Sequence, residues 1–274
     1  MTEARVCRQY DFYSPQYARF ESDVAVEIRR EVHGEDIGQQ GWRTLDEQAQ
    51  IADLIGPASS CYLLDIACGS GGPSLALVAA TGCTLTGIDK EPSGIERAQR
   101  LAAERGLSDK AHFVTVDCRD RLPFGDKAFD VVVCIDAVLH LGDRLATLAD
   151  WTRVLRPGGR LLFTDAAVLT GAVSIDELDI RASQGGFLLV PPGLNETALA
   201  AAGLILRRCD DRTQATADIA TRLYAARQSR SPELTEMEGG QWFLQRQAFL
   251  ATTAALAATK RLSRLLYVAE KPST

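Results

Sequence analysis

The chain has 274 residues, of which 46% are hydrophobic, with a formal net charge of −6 and a pI of about 5.2. That is enough apolar chain for one large core, while an acidic protein lacks the general attraction for phosphate backbones on which nucleic-acid binding rests. The start, MTEARVCRQYDFYS, has no apolar leader core, and no long uncharged apolar run follows, so neither a secretory signal nor a membrane span is expected and the cytoplasm is the expected compartment.

Residues 1–20 carry Tyr10, Tyr13 and Tyr17 beside Phe12 and Phe20. Tyrosine has an apolar ring and a polar tip, which suits either a half-wet pocket wall or an arm packed on the core. A helix is predicted over 21–33, with Val24, Ile28 and Val32 on one face. His33 then leads into a glycine-rich loop that ends at Trp42. Thr44 is placed to cap a second helix, with Glu47 three residues on completing a capping box, and Gly56-Pro57 stops it.

From residue 62 the period changes. Strands are predicted over 62–67, 84–89, 111–116, 129–135 and 159–165, with helices over 73–81, 92–105 and 143–155 between them. Units this short imply parallel crossovers. Beyond 166 a short helix is expected over 175–183, with a loop around Pro191-Pro192. A helix capped by Asn195 runs to Gly203, and a strand follows over 204–209. Residues 214–258 read as helical with breaks near Ser231-Pro232 and Gly239-Gly240, and 262–270 reads as a last strand. In that segment Leu244, Phe249 and Leu256 form a stripe that suits the core or a homodimer contact, and Arg261 and Arg264 read as a solvated face. Seven scattered cysteines, none in a C-x-x-C pair, read as buried thiols and not as a zinc site.

The stretch 63–76, LLDIACGSGGPSLA, organises the rest. It reads as a buried strand, a glycine turn and a helix start, with Asp65 at the carboxyl end of the strand, where open α/β sheets bind ligands. Asp89 and Asp117 end the next two strands. Asp89 can accept both hydroxyls of a ribose, Asp117 an exocyclic purine amine, and Cys118 can offer its backbone N–H to the ring. A dinucleotide turn wants G-x-G-x-x-G, but counting from Gly69 gives G-S-G-G-P-S, with no Lys or Arg to meet a phosphate. The acid at Asp65 suits a ligand with an amino group.

The segments DIACGSGG, GIDK, VDC, FDVVVCIDAVLHL and VLRPGGRLLFTD, in this order across roughly residues 40–170, resemble class I S-adenosylmethionine-dependent methyltransferases. Ala67 stands where the family pattern D-x-G-x-G-x-G has its first glycine. The resemblance implies a doubly wound seven-stranded sheet, mostly parallel with an antiparallel last strand, carrying an N-terminal helical arm and a helical cap. The implied division is an arm or lid over 1–56, a cofactor-binding core over 57–170, and 171–274 completing the same domain with a cap over about 212–258. It also implies S-adenosyl-L-methionine as cofactor. By that resemblance Asp65, Ala67, Gly69 and Gly71 line the methionine part and Asp89 holds the ribose beside Lys90. Asp117 and Cys118 hold the adenine, Ile135 and Asp136 lie under the sulfonium, and Tyr17 and Trp42 come over the cofactor with the arm.

The G-G-P turn and the helical cap are similar to small-molecule methyltransferases acting on sarcosine and dimethylglycine, phosphoethanolamine, tocopherol and natural products. A small-molecule acceptor is therefore expected, without nucleic acid, membrane or metal. Tyr10, Tyr13, Asp136, Asp165 and Trp242 are candidate acceptor contacts. His140 is the first candidate for a general base and His33 the second, while His112 reads as structural. A nicotinamide oxidoreductase and a non-catalytic cofactor-binding regulator stand as alternatives.

Overall fold

The computed structural model describes residues 13–57, 60–183 and 185–273. Tyr10 lies outside them, and of Tyr13 only the backbone is described. The chain opens with three helices, α1 (Tyr13–Ala18), α2 (Asp23–His33) and α3 (Leu45–Ile55). The alternating part follows as β1 (Tyr62–Ile66), α4 (Gly72–Thr81), β2 (Thr84–Asp89), α5 (Pro92–Glu104), β3 (Ala111–Thr115), β4 (Phe129–Cys134), α6 (Arg144–Val154) and β5 (Leu155–Leu169). Then come α7 (Ile175–Ala182), α8 (Leu194–Ala201), β6 (Ile205–Asp211), α9 (Thr213–Gln228), α10 (Ser231–Glu238), α11 (Gly240–Ala258) and β7 (Leu262–Glu270).

The seven strands form one sheet in the order β3-β2-β1-β4-β5-β7-β6, with β7 antiparallel to both neighbours. The doubly wound sheet with an antiparallel last strand, expected from the resemblance, is the architecture found. The strand order reverses beside β1, between β1 and β4, so a crevice opens over the carboxyl ends of the strands there. One face of the sheet is covered by α3, α4 and α5 with Leu63, Leu75 and Leu85 at the centre; the other is covered by α6 and α8 with Leu64, Trp151 and Phe163. A third apolar cluster, around Val32, Ile219, Phe243 and Leu250, ties α2 to α9 and α11 above the crevice.

Local differences from the sequence reading have physical causes. Pairing on β5 jumps from Leu155 opposite Phe129 to Arg160 opposite Val131, so the expected Pro157-Gly158 turn is an excursion inside a longer strand. Asn195 does not cap α8; Gly193 does, and Asn195 is 1% exposed with its amide on Asp165. Val190, read as loop, hydrogen-bonds along the end of β5 through Ala167 and Leu169. Leu244 is 67% exposed, while Phe249 and Leu256 are buried, so the stripe on α11 divides between surface and core.

The largest correction concerns Arg264. Its side chain is 1% exposed, not solvated. It forms a bidentate pair with Glu47 at 2.6 and 2.7 Å and bonds Asp136 at 2.6 Å. The capping box at α3 is consequently half formed. Thr44 Oγ1 accepts from the Glu47 N–H at 3.0 Å, but the Glu47 carboxylate goes to Arg264. Removing the arginine leaves two buried carboxylates without their cation, a change that costs about 3–5 kcal/mol. Arg264→Met is expected to lower the unfolding free energy read from urea titration by that amount; a loss below ~1 kcal/mol would mean that the pair does not hold α3 to the sheet.

Candidate active site

The crevice holds a cavity of about 740 Å³. Its floor is the turn between β1 and α4. Ala67, Gly69 and Gly71 all have positive φ there, at 59°, 59° and 75°. The left-handed region costs a residue with a β-carbon roughly 1–2 kcal/mol, so Ala67 carries strain at the place where the family pattern has glycine. At Gly69 a β-carbon would in addition stand 2.7 Å from the Tyr17 hydroxyl, so a larger residue there would have to displace that ring. Gly71 faces away from the cavity, packed on Ala98 and Phe113.

Asp89 lies at the end of β2 and lines the cavity. Its two oxygens accept from the N–H groups of Gly69 at 2.9 Å and Glu91 at 3.0 Å, which fixes the carboxylate against the turn. Each oxygen keeps a further lone pair for a ligand hydroxyl. Lys90, Asp117 and Cys118 line the same end. Asp117 sits two residues past β3 and is held by Arg119 at 2.5 to 3.1 Å, a bond that lowers its pKa. Burial pushes the Cys118 thiol up to about 12, so it stays protonated.

Asp65 does not line the cavity. It lies below the turn, 4% exposed, accepting from Ser74 Oγ at 2.6 Å. Burial raises its pKa to about 6, against the opposing field of Arg43. Arg43 was not anticipated from the sequence. It lines the cavity and donates to the neutral amide of Gln48 at 2.6 Å. No carboxylate among the described residues lies within ion-pair distance of it, although Asp65, Asp136 and Glu47 act on it at longer range. Burial lowers its pKa.

Asp136 follows β4 with φ at 59° and lines the cavity beside Ile135. Burial acts to raise its pKa, but Arg264 outweighs it and the group stays low. One carboxyl oxygen takes Arg264 and Thr164, and the other takes the Trp42 N–H at 2.7 Å. A β-carbon on Gly41 would meet that second oxygen at 2.3 Å, so the approach of the arm needs a glycine there. The Trp42 ring itself turns away and stacks on Phe249 with ring centres 6.2 Å apart.

The other end of the cavity is lined by His140, Leu141, Asp179, Ser183, Trp242 and Gln245. His140 ends a short 3₁₀ turn, and its Nδ1 lies 3.2 Å from the Gly186 carbonyl. Nδ1–H donates to that oxygen, so the neutral ring keeps its lone pair on Nε2. Burial lowers the pKa to about 4.

Two candidates fall elsewhere. Asp165 is fully buried behind the site, paired with Arg144 at 2.8 Å and bonded to Asn195 and the Ala167 N–H. His33 lines a separate, smaller cavity. Tyr17, Ala67, Gly69, Asp89, Lys90, Asp117, Cys118, Ile135, Asp136, His140 and Trp242 are thus brought together; Trp42, Asp65, Gly71, Asp165 and His33 are not. Among the described residues no group of three or more His, Cys, Asp or Glu is placed to hold a metal, and no helix is long and apolar enough to cross a membrane.

A glycine turn at the switch point of a doubly wound sheet, with carboxylates on the next two strand ends facing one cavity, is the place where open α/β sheets bind ligands. Residues 64–163 match the family model described as "Methyltransferase domain". The 27-O-demethylrifamycin SV methyltransferase of Amycolatopsis mediterranei (strain S699) is 29% identical over 163 residues, 56% of this chain and 60% of that protein. The chain spans less than two thirds of the length of the curated relatives it matches. Among solved structures, Haemonchus contortus phosphoethanolamine N-methyltransferase 2, in complex with phosphomonomethylethanolamine and S-adenosylhomocysteine, is similar with a TM-score of 0.78 at 17% identity, over 95% of this chain and 60% of that one. The [4+2]-cyclase SpnF is similar with a TM-score of 0.70 at 22% identity, over 92% and 94%. Residues 64–163 are thus similar to a methyltransferase domain, and the whole chain shares the fold of these solved structures.

The raised pKa of Asp65 sets a sign for stability. A carboxyl whose folded pKa lies above its unfolded value of about 3.9 contributes stability at low pH and loses it as pH rises through about 6. Asp65→Asn removes that loss. The melting temperature of the ligand-free variant should exceed that of the parent at pH 8 by the equivalent of up to ~3 kcal/mol and match it near pH 4. An equal difference at both pH values would refute the assignment.

Proposed function

We propose that the chain is an S-adenosylmethionine-dependent methyltransferase that methylates oxygen or nitrogen of a small-molecule acceptor. The observation that carries this reading is the single cavity joining the strand-end carboxylates to His140 and Trp242. One end suits a nucleoside and the other a separate molecule. The residues fit the cofactor. Asp89 would accept the ribose hydroxyls and Asp117 with Cys118 would face the adenine. Arg43, a buried guanidinium without an ion pair among the described residues, would hold the carboxylate of the methionine part. Tyr17 would close over the turn from the arm.

S-adenosylmethionine, when bound, supplies an electrophilic methyl group, so the protein's work is mainly placement, worth about 7–11 kcal/mol in well-oriented reactions. Asp136, clamped by Arg264 and the Trp42 N–H, sets the cavity wall between the two ends. His140 is fixed by Gly186 and neutral down to about pH 4. A ring with so low a pKa is a weak base but a good hydrogen-bond acceptor, and it would orient an acceptor hydroxyl or amine through Nε2. The buried position of the site keeps water from competing.

Two measurements test this. Asp89→Ala should weaken S-adenosylhomocysteine binding in calorimetry by at least tenfold, since each charge-assisted bond contributes about 1.5–3 kcal/mol; unchanged affinity would disprove the ribose assignment. In an acceptor screen read by S-adenosylhomocysteine release, His140→Ala should lower kcat by roughly 10- to 100-fold, less than the loss of a strong base. The parent rate should be flat from pH 6 to 9. A variant as fast as the parent at every pH would remove His140 from the mechanism.

A further inference from the structure

A second chamber of about 120 Å³ lies behind the main cavity, between α2 and the helices α9, α10 and α11. Its floor is apolar, built from Phe20, Ile28, Leu223, Leu234 and Met237. Gln39, Gln40 and Trp242 line both cavities, so the two spaces share one wall. Its volume is that of roughly four water molecules, which suits the end of a molecule and not a ring system.

The polar lining is unusual. Gln16 Oε1, His33 Nδ1, Gln40 Nε2 and Arg227 Nε are all buried with no hydrogen-bond partner among the described residues. Buried polar groups without partners cost stability, about 1–3 kcal/mol each, so several around one cavity mark a place where a ligand completes the bonds. Two of these atoms, the Gln16 oxygen and the Gln40 amide nitrogen, are fixed as acceptor and donor by their chemistry. His33 faces the Arg43 carbonyl as a donor, which leaves Nδ1 as an acceptor.

Charge adds a direction. Arg19, Arg29, Arg227 and Arg246 line the chamber against one lining carboxylate, Glu238. Arg29 is bidentate on Asp36 and Arg227 on Glu238. Leaving Arg246 aside and counting Asp36, three guanidinium groups (Arg19, Arg29 and Arg227) face two carboxylates among the described residues. The chamber is electropositive, in a protein whose net charge is −6.

We propose that this chamber is the far subsite of the acceptor pocket and takes a carboxylate-bearing end with an adjacent hydroxyl, the terminus of a hydroxy acid. The carboxylate accepts from Gln40 Nε2 and the guanidinium groups, and the hydroxyl donates to His33 Nδ1 or Gln16 Oε1. The rest of the acceptor passes the wall at Gln40 and Trp242 towards His140. This rests on the methyltransferase reading of the main cavity, because that reading makes the His140 end the acceptor's.

The test uses the full chain saturated with S-adenosylhomocysteine, with lactate, lactamide and 3-phenyllactate as probes in titrations followed by ligand-observed NMR. Lactate should bind at least tenfold more tightly than lactamide, and Arg19→Ala and His33→Leu should each weaken lactate at least tenfold while S-adenosylhomocysteine affinity changes less than twofold. Phenyllactate, whose ring must pass the shared wall, should bind at least tenfold more tightly than lactate. Lactamide equal to lactate, lactate unaffected by both variants, or no lactate binding would overturn the chamber's chemistry. Phenyllactate no tighter than lactate would overturn its role as part of the acceptor pocket. Failure of S-adenosylhomocysteine to bind would instead overturn the methyltransferase reading, and the acceptor role with it, while lactate binding to the ligand-free protein would still judge the chamber's chemistry.

Discussion

Arg264 sits between two carboxylates from distant parts of the chain, and the site depends on that contact. Glu47 comes from α3, 217 positions away, and Asp136 from the loop after β4, 128 positions away. A guanidinium in the middle of a sheet is costly to desolvate, and only paired, well-bonded geometry offsets that. The bidentate fork to Glu47 supplies it. The consequence is positional: α3 cannot shift without exposing a buried charge, and the loop carrying Asp136 is held at the same point.

Asp136 then passes the constraint to the arm. Its left-handed backbone aims the carboxylate back over the sheet, where it takes the Trp42 N–H and leaves room only for a glycine at position 41. The loop from Gly38 to Arg43 is thereby laid across the cavity as its roof. Strain at Ala67 and Asp136, each non-glycine in the left-handed region, borders the same cavity from below and from the side. Strained backbone of this kind persists only when the surroundings over-determine it, and here the ion pairs and the central strands do so.

The two halves of the site differ in how legible they are in sequence. The strand-end half of the cavity is built from strand, turn and helix pieces that are contiguous in the chain, so Ala67, Gly69, Asp89, Asp117 and Ile135 could be picked from local pattern and family resemblance. Asp65 and Gly71 belong to the same segment, but alternation along the strand sends the Asp65 side chain below the turn, and Gly71 packs on Ala98 and Phe113. The wall at Asp136 is fixed by long-range pairs that no local pattern encodes. Arg264 read as solvated because Arg261, three residues earlier, shares its charge, and Glu47 read as a capping-box acid because that spacing is the motif. One signal was available: an arginine inside the otherwise apolar strand LSRLLYV, flanked by strands on both sides, must be buried and so requires buried acids. Asp165 carried the opposite trap. It stands at a strand end like Asp89, yet it faces α6 and α8, and Arg144 and Asn195 consume it.

Electrically, the main cavity is balanced for a particular kind of guest. Arg43 is a cation whose hydrogen-bond partner is a neutral amide, and Asp65 is a buried acid below the turn that is mostly ionised at neutral pH. Glu47 and Asp136, which could have neutralised Arg43, are both committed to Arg264. A phosphate would meet Arg43 but would also face Asp89 and Asp117, with the charge of Asp65 behind the turn. A plain amine would meet the acids but leave Arg43 buried and uncompensated. A group with an ammonium and a carboxylate on one carbon offsets both charges without adding net charge to the interior. The aminoacyl end of S-adenosylmethionine is such a group, and the division of acids between Arg264 and the cavity is what creates the need for it.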